Sequence, residues 1–460
     1  MKRISLLLAA LGISLFAFGS IAAQSAPAQD ATRSAPNTAV ASAPDLNDTR
    51  SAAQLYADAE SYVRKKFAEL EKLKTPYSRQ LDENIKKEQR ELANRYATLL
   101  IARKVTGPDI YYLGVLHNLA RNFEPAMEAM RQFLKENPTV TGERAQNARA
   151  VIVIQAAKKG LVAEAETRLA EYANAEPQVA QDRYTLENWV AAAYFNIKNY
   201  EKSLPHAEQM WSAAKVAARD KQPFARDATL NQAAIMLSEI NLKLKKQEQA
   251  LAVMRELRAL SLSFPSGNLY KQALRRIIQI DPESDPFKNL DEGRPRTPNA
   301  PEFTANEWLD QKPTKLSDLR GQVVLLDFWA HWCGPCRVTL PRFQKWHEAY
   351  KDKGLVVLGL TNLFGHAEGK RMTRAQELDY LREFKKKFNL TYGFAVSDED
   401  NNDLTYAVAS IPTTFLIDRR GVVRFISIGS SEVENAALQK MIQKLIEEPA
   451  TPKTETNAAR

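Results

Sequence analysis

An apolar run, Val323-Val324-Leu325-Leu326, passes through Asp327-Phe328-Trp329-Ala330-His331 into Trp332-Cys333-Gly334-Pro335-Cys336. Four consecutive apolar residues, two of them β-branched, read as a buried strand. A strand that ends in Cys-x-x-Cys places the first thiol at the start of a helix. Free backbone N–H groups and the helix dipole favour a thiolate there, and the thiolate is the reactive species. Cys333 and Cys336 are the only cysteines in 460 residues. A structural zinc site needs four ligands, and no second cysteine pair exists to supply them. The histidines, at 117, 206, 331, 347 and 366, contain no pair at the spacing of a zinc finger. A static disulfide across so short a loop would constrain the unfolded chain little. Redox chemistry is the reading that remains.

The surrounding pieces carry a resemblance. Ala300-Pro301-Glu302-Phe303, Leu316-Ser317-Asp318-Leu319-Arg320-Gly321, the strand leading into the cysteine pair, and Ser410-Ile411-Pro412-Thr413-Thr414-Phe415-Leu416-Ile417-Asp418 occur in that order. Residues 300–447 thereby resemble thioredoxin-fold domains of the periplasmic TlpA/ResA type. The resemblance implies a thiol–disulfide oxidoreductase with Cys333 as attacking and Cys336 as resolving cysteine, together a redox-active disulfide. It implies that Pro412 is cis and faces the cysteine pair. Asp327 matches the buried acid that thioredoxins place behind the resolving cysteine, where most TlpA/ResA-like chains have Asn. Its expected role is proton transfer at Cys336. No lysine on the next strand, Leu355 to Leu360, is available to pair with it, so burial should raise its pKa. Trp332 and Ile411-Pro412 are the expected substrate-binding residues. Trp332 forms an apolar rim, and Ile411 offers backbone hydrogen bonds to an extended segment.

Two further residues depart from that pattern, and an insert sits where TlpA-like domains have an extra helix. Thr339 stands where the family often carries a glutamate. His331 lies two residues before Cys333, and when protonated it could favour a thiolate, although a lone histidine at an exposed position more often does nothing. The segment from Asn362 to Asn389 is a long charged insert whose core, Arg374 to Phe388, reads as an amphipathic helix.

Lys2 and Arg3 precede an apolar stretch from Ile4 to about Ile21, and Ser20-Ile21-Ala22 offers small residues for cleavage. Residues 1–22 thus read as a signal peptide, with an uncleaved anchor helix as the alternative. This implies a periplasmic or otherwise exported protein with no integral membrane span after cleavage. Export to an oxidising compartment fits a chain whose cysteines are confined to one motif. Residues 23–50, rich in Ala, Ser, Pro, Gln and Thr, read as a disordered linker. The formal net charge of +9 is spread among Glu and Asp along helical stretches, which argues for solvated helix faces and against nucleic-acid binding.

Residues 51–280 read as an all-α domain. Leu55, Ala59, Val63 and Phe67 recur every four positions on one helix face. Leu113-Gly114, Ala126, Met130 and Phe133 match the spacing of a tetratricopeptide helix pair. Similar sets follow around Ile152 to Pro177, Val190 to Met210 and Leu237 to Leu257. Their spacing is longer than the usual 34 residues, so the repeats are degenerate, and a plain helical bundle is the alternative. Such repeats commonly bind a protein partner. Residues 281–299 read as a proline-rich linker and 448–460 as a disordered tail.

The expected architecture is therefore multidomain, an N-terminal tetratricopeptide-like helical region followed by a C-terminal α/β thioredoxin fold. The expected function is reduction of protein disulfides through the Cys-Gly-Pro-Cys dithiol. The partners implied are a disulfide-containing protein substrate and an electron-donor thiol protein, with no cofactor and no metal. Two alternatives stand beside it. One is a repeat-based scaffold with a redox-idle thioredoxin domain, which the intact cysteine pair argues against. The other is a peroxiredoxin-like antioxidant, whose P-x-x-x-T-x-x-C pattern surrounds neither cysteine.

Overall fold

Helix α1 (Ala52–Lys72) starts where the Ser51 hydroxyl accepts from Gln54 N–H while the Gln54 side chain accepts from Ser51 N–H. This reciprocal cap satisfies two of the donors that a helix start leaves free. The computed structural model describes residues 45–283, 287 and 299–449. The expected signal peptide, most of the two expected linkers and residues 450–460 lie outside the described residues.

The chain divides into two compact units, residues 1–197 and 198–460. The first contains α1, α2 (Arg79–Ala102), α3 (Ile110–Leu119), α4 (Phe123–Glu136), α5 (Gly142–Lys158), α6 (Val162–Ala173) and α7 (Ala180–Asn196). Helix α3 packs on α4 and α5 on α6. Gly114 permits the first of these approaches: a Cβ there would lie 2.8 Å from Met130 Cε. Ala126, Met130, Phe133, Ile152, Ala165, Leu169, Tyr172, Val190 and Tyr194 are all buried in one cluster. Most of the periodic positions of the sequence are therefore core positions, while Val63, Phe67 and Leu113 are half-buried.

The second unit opens with α8 (Tyr200–Ala217), α9 (Pro223–Lys243), α10 (Gln247–Ser263) and α11 (Gly267–Ile280). The strands are β1 (Glu307–Leu309), β2 (Val323–Phe328), β3 (Leu355–Asn362), β4 (His366–Ala367), β5 (Lys370–Arg371), β6 (Gly393–Ser397), β7 (Thr413–Ile417) and β8 (Val423–Ile428). Six of them form one sheet in the order β1-β6-β3-β2-β7-β8, and β4 pairs with β5. Strands β2, β3 and β6 run parallel, and the other pairings are antiparallel. The remaining helices are α12 (Gly334–Tyr350), α13 (Arg374–Lys387), α14 (Asn401–Thr405) and α15 (Glu432–Glu447). The expected combination of a helical region and an α/β thioredoxin fold is what the chain forms.

Side chains alternate across β2, as strand geometry requires. Val323, Leu325 and Trp329 enter a core with Phe343, Leu381, Phe384 and Leu438, from α12, α13 and α15. Val324, Leu326 and Phe328 enter a second core with Leu262 and Tyr270, from the end of α10 and from α11. Both sheet faces are apolar, so both must be covered. Helices α8 to α11, the last of the long helices within 51–280, belong to the same compact unit as the sheet. The physical reason is this second face, which needs Leu262 and Tyr270 to exclude water.

Candidate functional site

Helix α12 begins at the cysteine pair. Cys333 is its N-cap, and Pro335 sits in the first turn, where its missing N–H costs nothing. The cysteines form a disulfide, and Cys336 N–H donates to Cys333 Sγ at 3.2 Å. One N–H donor that would stabilise a Cys333 thiolate is thus already aimed at its sulfur. Cys336 is fully enclosed, whereas Cys333 keeps 4% of its surface and follows Trp332, which is 52% exposed.

The Ile411–Pro412 peptide is cis. Pro412 is buried, and half-buried Ile411 packs on the core cluster that contains both cysteines. Trp329 is core, stacked on Phe384 and tilted against Phe394. Gly359, beside Asp327 on the neighbouring strand, makes room for it, because a Cβ there would lie 2.8 Å from Trp329 Nε1.

Asp327 is completely buried on β2. Its Oδ1 accepts from Thr414 Oγ1 at 2.8 Å, and Oδ2 has no hydrogen-bond partner among the described residues. Burial pushes its pKa up to about 7, and the Thr414 hydrogen bond only partly opposes this. The Tyr392 hydroxyl, also buried and unpartnered, is pushed well above its ordinary value by burial and then by the Asp327 charge.

His331 is not at the surface. It is 1% exposed, with Nε2 3.6 Å from Glu377 Oε1 and its ring edge-on to Phe364 and Tyr380. Burial holds its pKa below the usual value, and the Glu377 charge opposes that. Above that lowered value it carries no charge to lend Cys333. Glu377 instead accepts from the backbone N–H groups of Phe364 and Gly365 at 2.8 Å each. This fastens the insert helix α13 to the loop whose Phe364 ring meets Trp332 edge-on. Thr339, in place of the family's glutamate, bonds back to the Cys336 carbonyl. His331, Glu377 and Phe364 thus form one packed support for the Trp332 rim.

A cleft of about 500 Å³ opens beside Trp332, lined by Phe224, Trp332, Phe364, Leu404 and Ile411 and by Thr361, Asn362, Asp400 and Asp403. Sequence reasoning named only Trp332 and Ile411 among these. Phe224 lies on α9, more than a hundred residues before the motif, and no local signal links it to the site. The N-terminus of α11 also meets the site: Gly267 N–H and Asn268 N–H donate to the carbonyls of Tyr406 and Ala407. Lys271 Nζ donates to Ser410 Oγ. Among the described residues no cluster of His, Cys, Asp or Glu has metal-binding geometry.

A cysteine pair at a helix start, a buried acid on the strand that leads into it and a cis-proline loop whose Ile411 packs on the same core define a thioredoxin-fold dithiol/disulfide domain. Comparison with known proteins agrees. Residues 297–426 match the model of the AhpC/TSA family. The chain is 33% identical over 131 residues to the thioredoxin-like protein YneN of Bacillus subtilis, covering 28% of this chain and 70% of that protein. It is 31% identical over 147 residues to the thiol-disulfide oxidoreductase ResA of Bacillus cereus, covering 32% and 76%. A solved structure of a DsbE-type thiol:disulfide interchange protein from Chlorobium tepidum is 31% identical, covers 32% of this chain and 95% of its own, and has a TM-score of 0.27. The chain belongs to the ResA-type thioredoxin-like thiol–disulfide oxidoreductases, and it is an enzyme of that class.

Proposed function

We propose that this protein is an exported reductase of protein disulfides, with Cys333 as nucleophile, Cys336 as resolving thiol and Asp327 as the proton-transfer group. The observation that carries the reading is the asymmetry of the pair: Cys333 is reachable and receives a helix N–H, while Cys336 is enclosed. The Cys333 thiolate attacks one sulfur of the substrate disulfide, forming Cys333–S–S–R and releasing R′–S⁻. Cys336, deprotonated by Asp327, then attacks Cys333 Sγ. That step closes the Cys333–Cys336 disulfide and releases R–S⁻. A donor dithiol protein must return two electrons for the next turnover. Ile411 and Pro412 hold the substrate backbone, and Trp332 packs on it.

Export rests on the Lys2-Arg3 and apolar leader and on a chain whose two cysteines both lie in the motif. No helix among the described residues is long and apolar enough to cross a membrane. The helical region before residue 198, read as degenerate tetratricopeptide-like repeats, is assigned to recruiting a protein partner. The test is reduction of insulin disulfides by the pre-reduced chain, together with Cys336→Ser. The variant should accumulate a mixed disulfide at Cys333 that mass spectrometry identifies. A wild-type chain inactive on insulin, with no adduct in the variant, would overturn the reading.

A further inference from the structure

The cleft beside Trp332 has an unusual polar lining for a chain of net charge +9. Asn362 Nδ2 donates to Asp400 Oδ1 and to Asp403 Oδ2, at 3.0 Å each. Two carboxylates therefore share one amide, and among the described residues neither is paired with a Lys or Arg. Thr361 is 3% exposed, lines the same cleft, and its Oγ1 has no hydrogen-bond partner among the described residues. A buried hydroxyl without a partner is costly unless something else supplies one. The cleft thus holds an unmet hydrogen-bonding group and uncompensated negative charge in the same place.

The walls have the opposite character. Trp332, Phe364, Phe224 and Leu404 line an apolar entrance, and Phe224 is 40% exposed. Aromatic rings and carboxylates lining one cleft match a long cationic side chain. Its methylene stem packs on the rings and its charged head reaches the carboxylates. Burial and, less strongly, the Asp400 charge raise the pKa of Asp403, and the Asn362 hydrogen bond opposes them.

Resting on the reductase reading above, we infer that the cleft selects protein substrates carrying a Lys or Arg within two residues of the disulfide cysteine. Asp400 and Asp403 bind the cation, and Phe224 of α9 closes the wall over its stem. The substrate backbone lies along Ile411, which turns every second side chain toward the cleft.

The test needs no electron donor. Three peptides, each with one cysteine linked to 5-thio-2-nitrobenzoate, differ only two residues after the cysteine, where they carry Lys, norleucine or Glu. Pre-reduced full-length protein is mixed with each, and the second-order rate of thionitrobenzoate release is read. The Lys peptide should react about tenfold faster than the Glu peptide, with norleucine between, as expected for one partly desolvated charge pair. The Lys-to-Glu ratio should fall to about twofold or less in Asp400→Asn/Asp403→Asn, and should shrink in ~0.5 M salt. Asp400→Asn alone, at an exposed position, should give an intermediate ratio if the double variant does not fold. Equal rates for the three peptides in the wild type, or an unchanged ratio in the variants, would overturn the cleft assignment alone. Release from none of the three would overturn the reductase reading, and the cleft assignment with it.

Discussion

Lys271 Nζ donates to Ser410 Oγ across 2.9 Å, tying helix α11 to the residue two places before cis-Pro412. The two residues are 139 positions apart. Around this bond, Asp227 of α9 is fully buried and accepts from Ser266 Oγ at 2.6 Å, from Asn268 Nδ2 at 3.3 Å and from Arg226 Nη2 at 2.9 Å. Ser266 is the N-cap of α11, whose first N–H groups bond the 406–407 carbonyls. Two helices of the helical stretch therefore hold the loop that presents Ile411.

This predicts separable effects of two substitutions. Asp227→Ala leaves Arg226 buried without its carboxylate and should lower unfolding stability by about 3–5 kcal/mol. Lys271→Ala removes one half-buried hydrogen bond and should cost about 1 kcal/mol. It should nevertheless speed amide exchange over residues 407–411 and slow insulin reduction about threefold or more, with less effect on a small aromatic disulfide. Equal slowing of both substrates would mean that the bond does not serve substrate positioning.

A second prediction concerns where the enzyme can be cut. Removing α10 and α11 strips Leu262, Tyr270 and the half-buried Leu274 from the sheet face that carries Val324, Leu326 and Phe328. Each large side chain contributes about 1.5–3 kcal/mol when buried, against about 5–15 kcal/mol for a whole domain. A fragment starting at Lys198 should melt cooperatively and reduce insulin. One starting near residue 297 should melt far lower and bind a hydrophobic dye. Matching melting temperatures for the two fragments would show that the helices are dispensable.

What the sequence made legible follows from range. The β2-to-α12 transition and the α13 helix, expected over 374–388 and found over 374–387, are set by neighbouring residues and their periodicity, whereas the burial of Asp327 is legible only through the thioredoxin resemblance. The cleft is assembled from α9, β2, β3, α14 and the 408–411 loop, so no window of sequence contains it. His331 looked like a surface residue because its burial depends on Glu377 and Phe364, which lie in the insert. The packing of α10 and α11 on the sheet was hidden for a related reason. A proline-rich segment such as 281–299 marks a break in regular structure, and says nothing about whether the helix before it folds back.

A third prediction follows from the ends of α12. In the reduced enzyme the helix N–H groups favour a thiolate at Cys333, and Cys336 remains enclosed. Iodoacetamide near neutral pH should label Cys333 about tenfold faster or more, as thiolate fraction and access both dictate. Peptide mapping after a short exposure checks this. Preferential labelling of Cys336 would reverse the assignment of nucleophile and resolving thiol.

The fourth prediction turns on Asp327, whose carboxyl is carried from an ordinary 3.8 up to about 7 by burial. A carboxyl raised in the folded state binds its proton more tightly there than in the unfolded chain. Its contribution to stability is complete below about pH 4, falls as pH rises, and is lost once pH passes about 7. An ionised Asp327 then costs about 4 kcal/mol at most, at 1.36 kcal/mol per pKa unit. Asp327→Asn removes this cost, so its advantage over wild type in urea unfolding should be small at pH 4, grow between pH 4 and 7, and level off above. Glu434, also pushed up to about 7 by burial, titrates in the same window but is present in both proteins and cancels in the difference. The same substitution should harm catalysis, because Asn cannot accept the Cys336 proton. Formation of the mixed disulfide should be little changed, and its resolution about a hundredfold slower, within the usual range for a lost general base. A variant with unaltered resolution and a pH-independent stability difference would place Asp327 outside both roles. A variant more stable above pH 7 yet slow to resolve would show that the same buried carboxyl weakens the fold and serves the reaction.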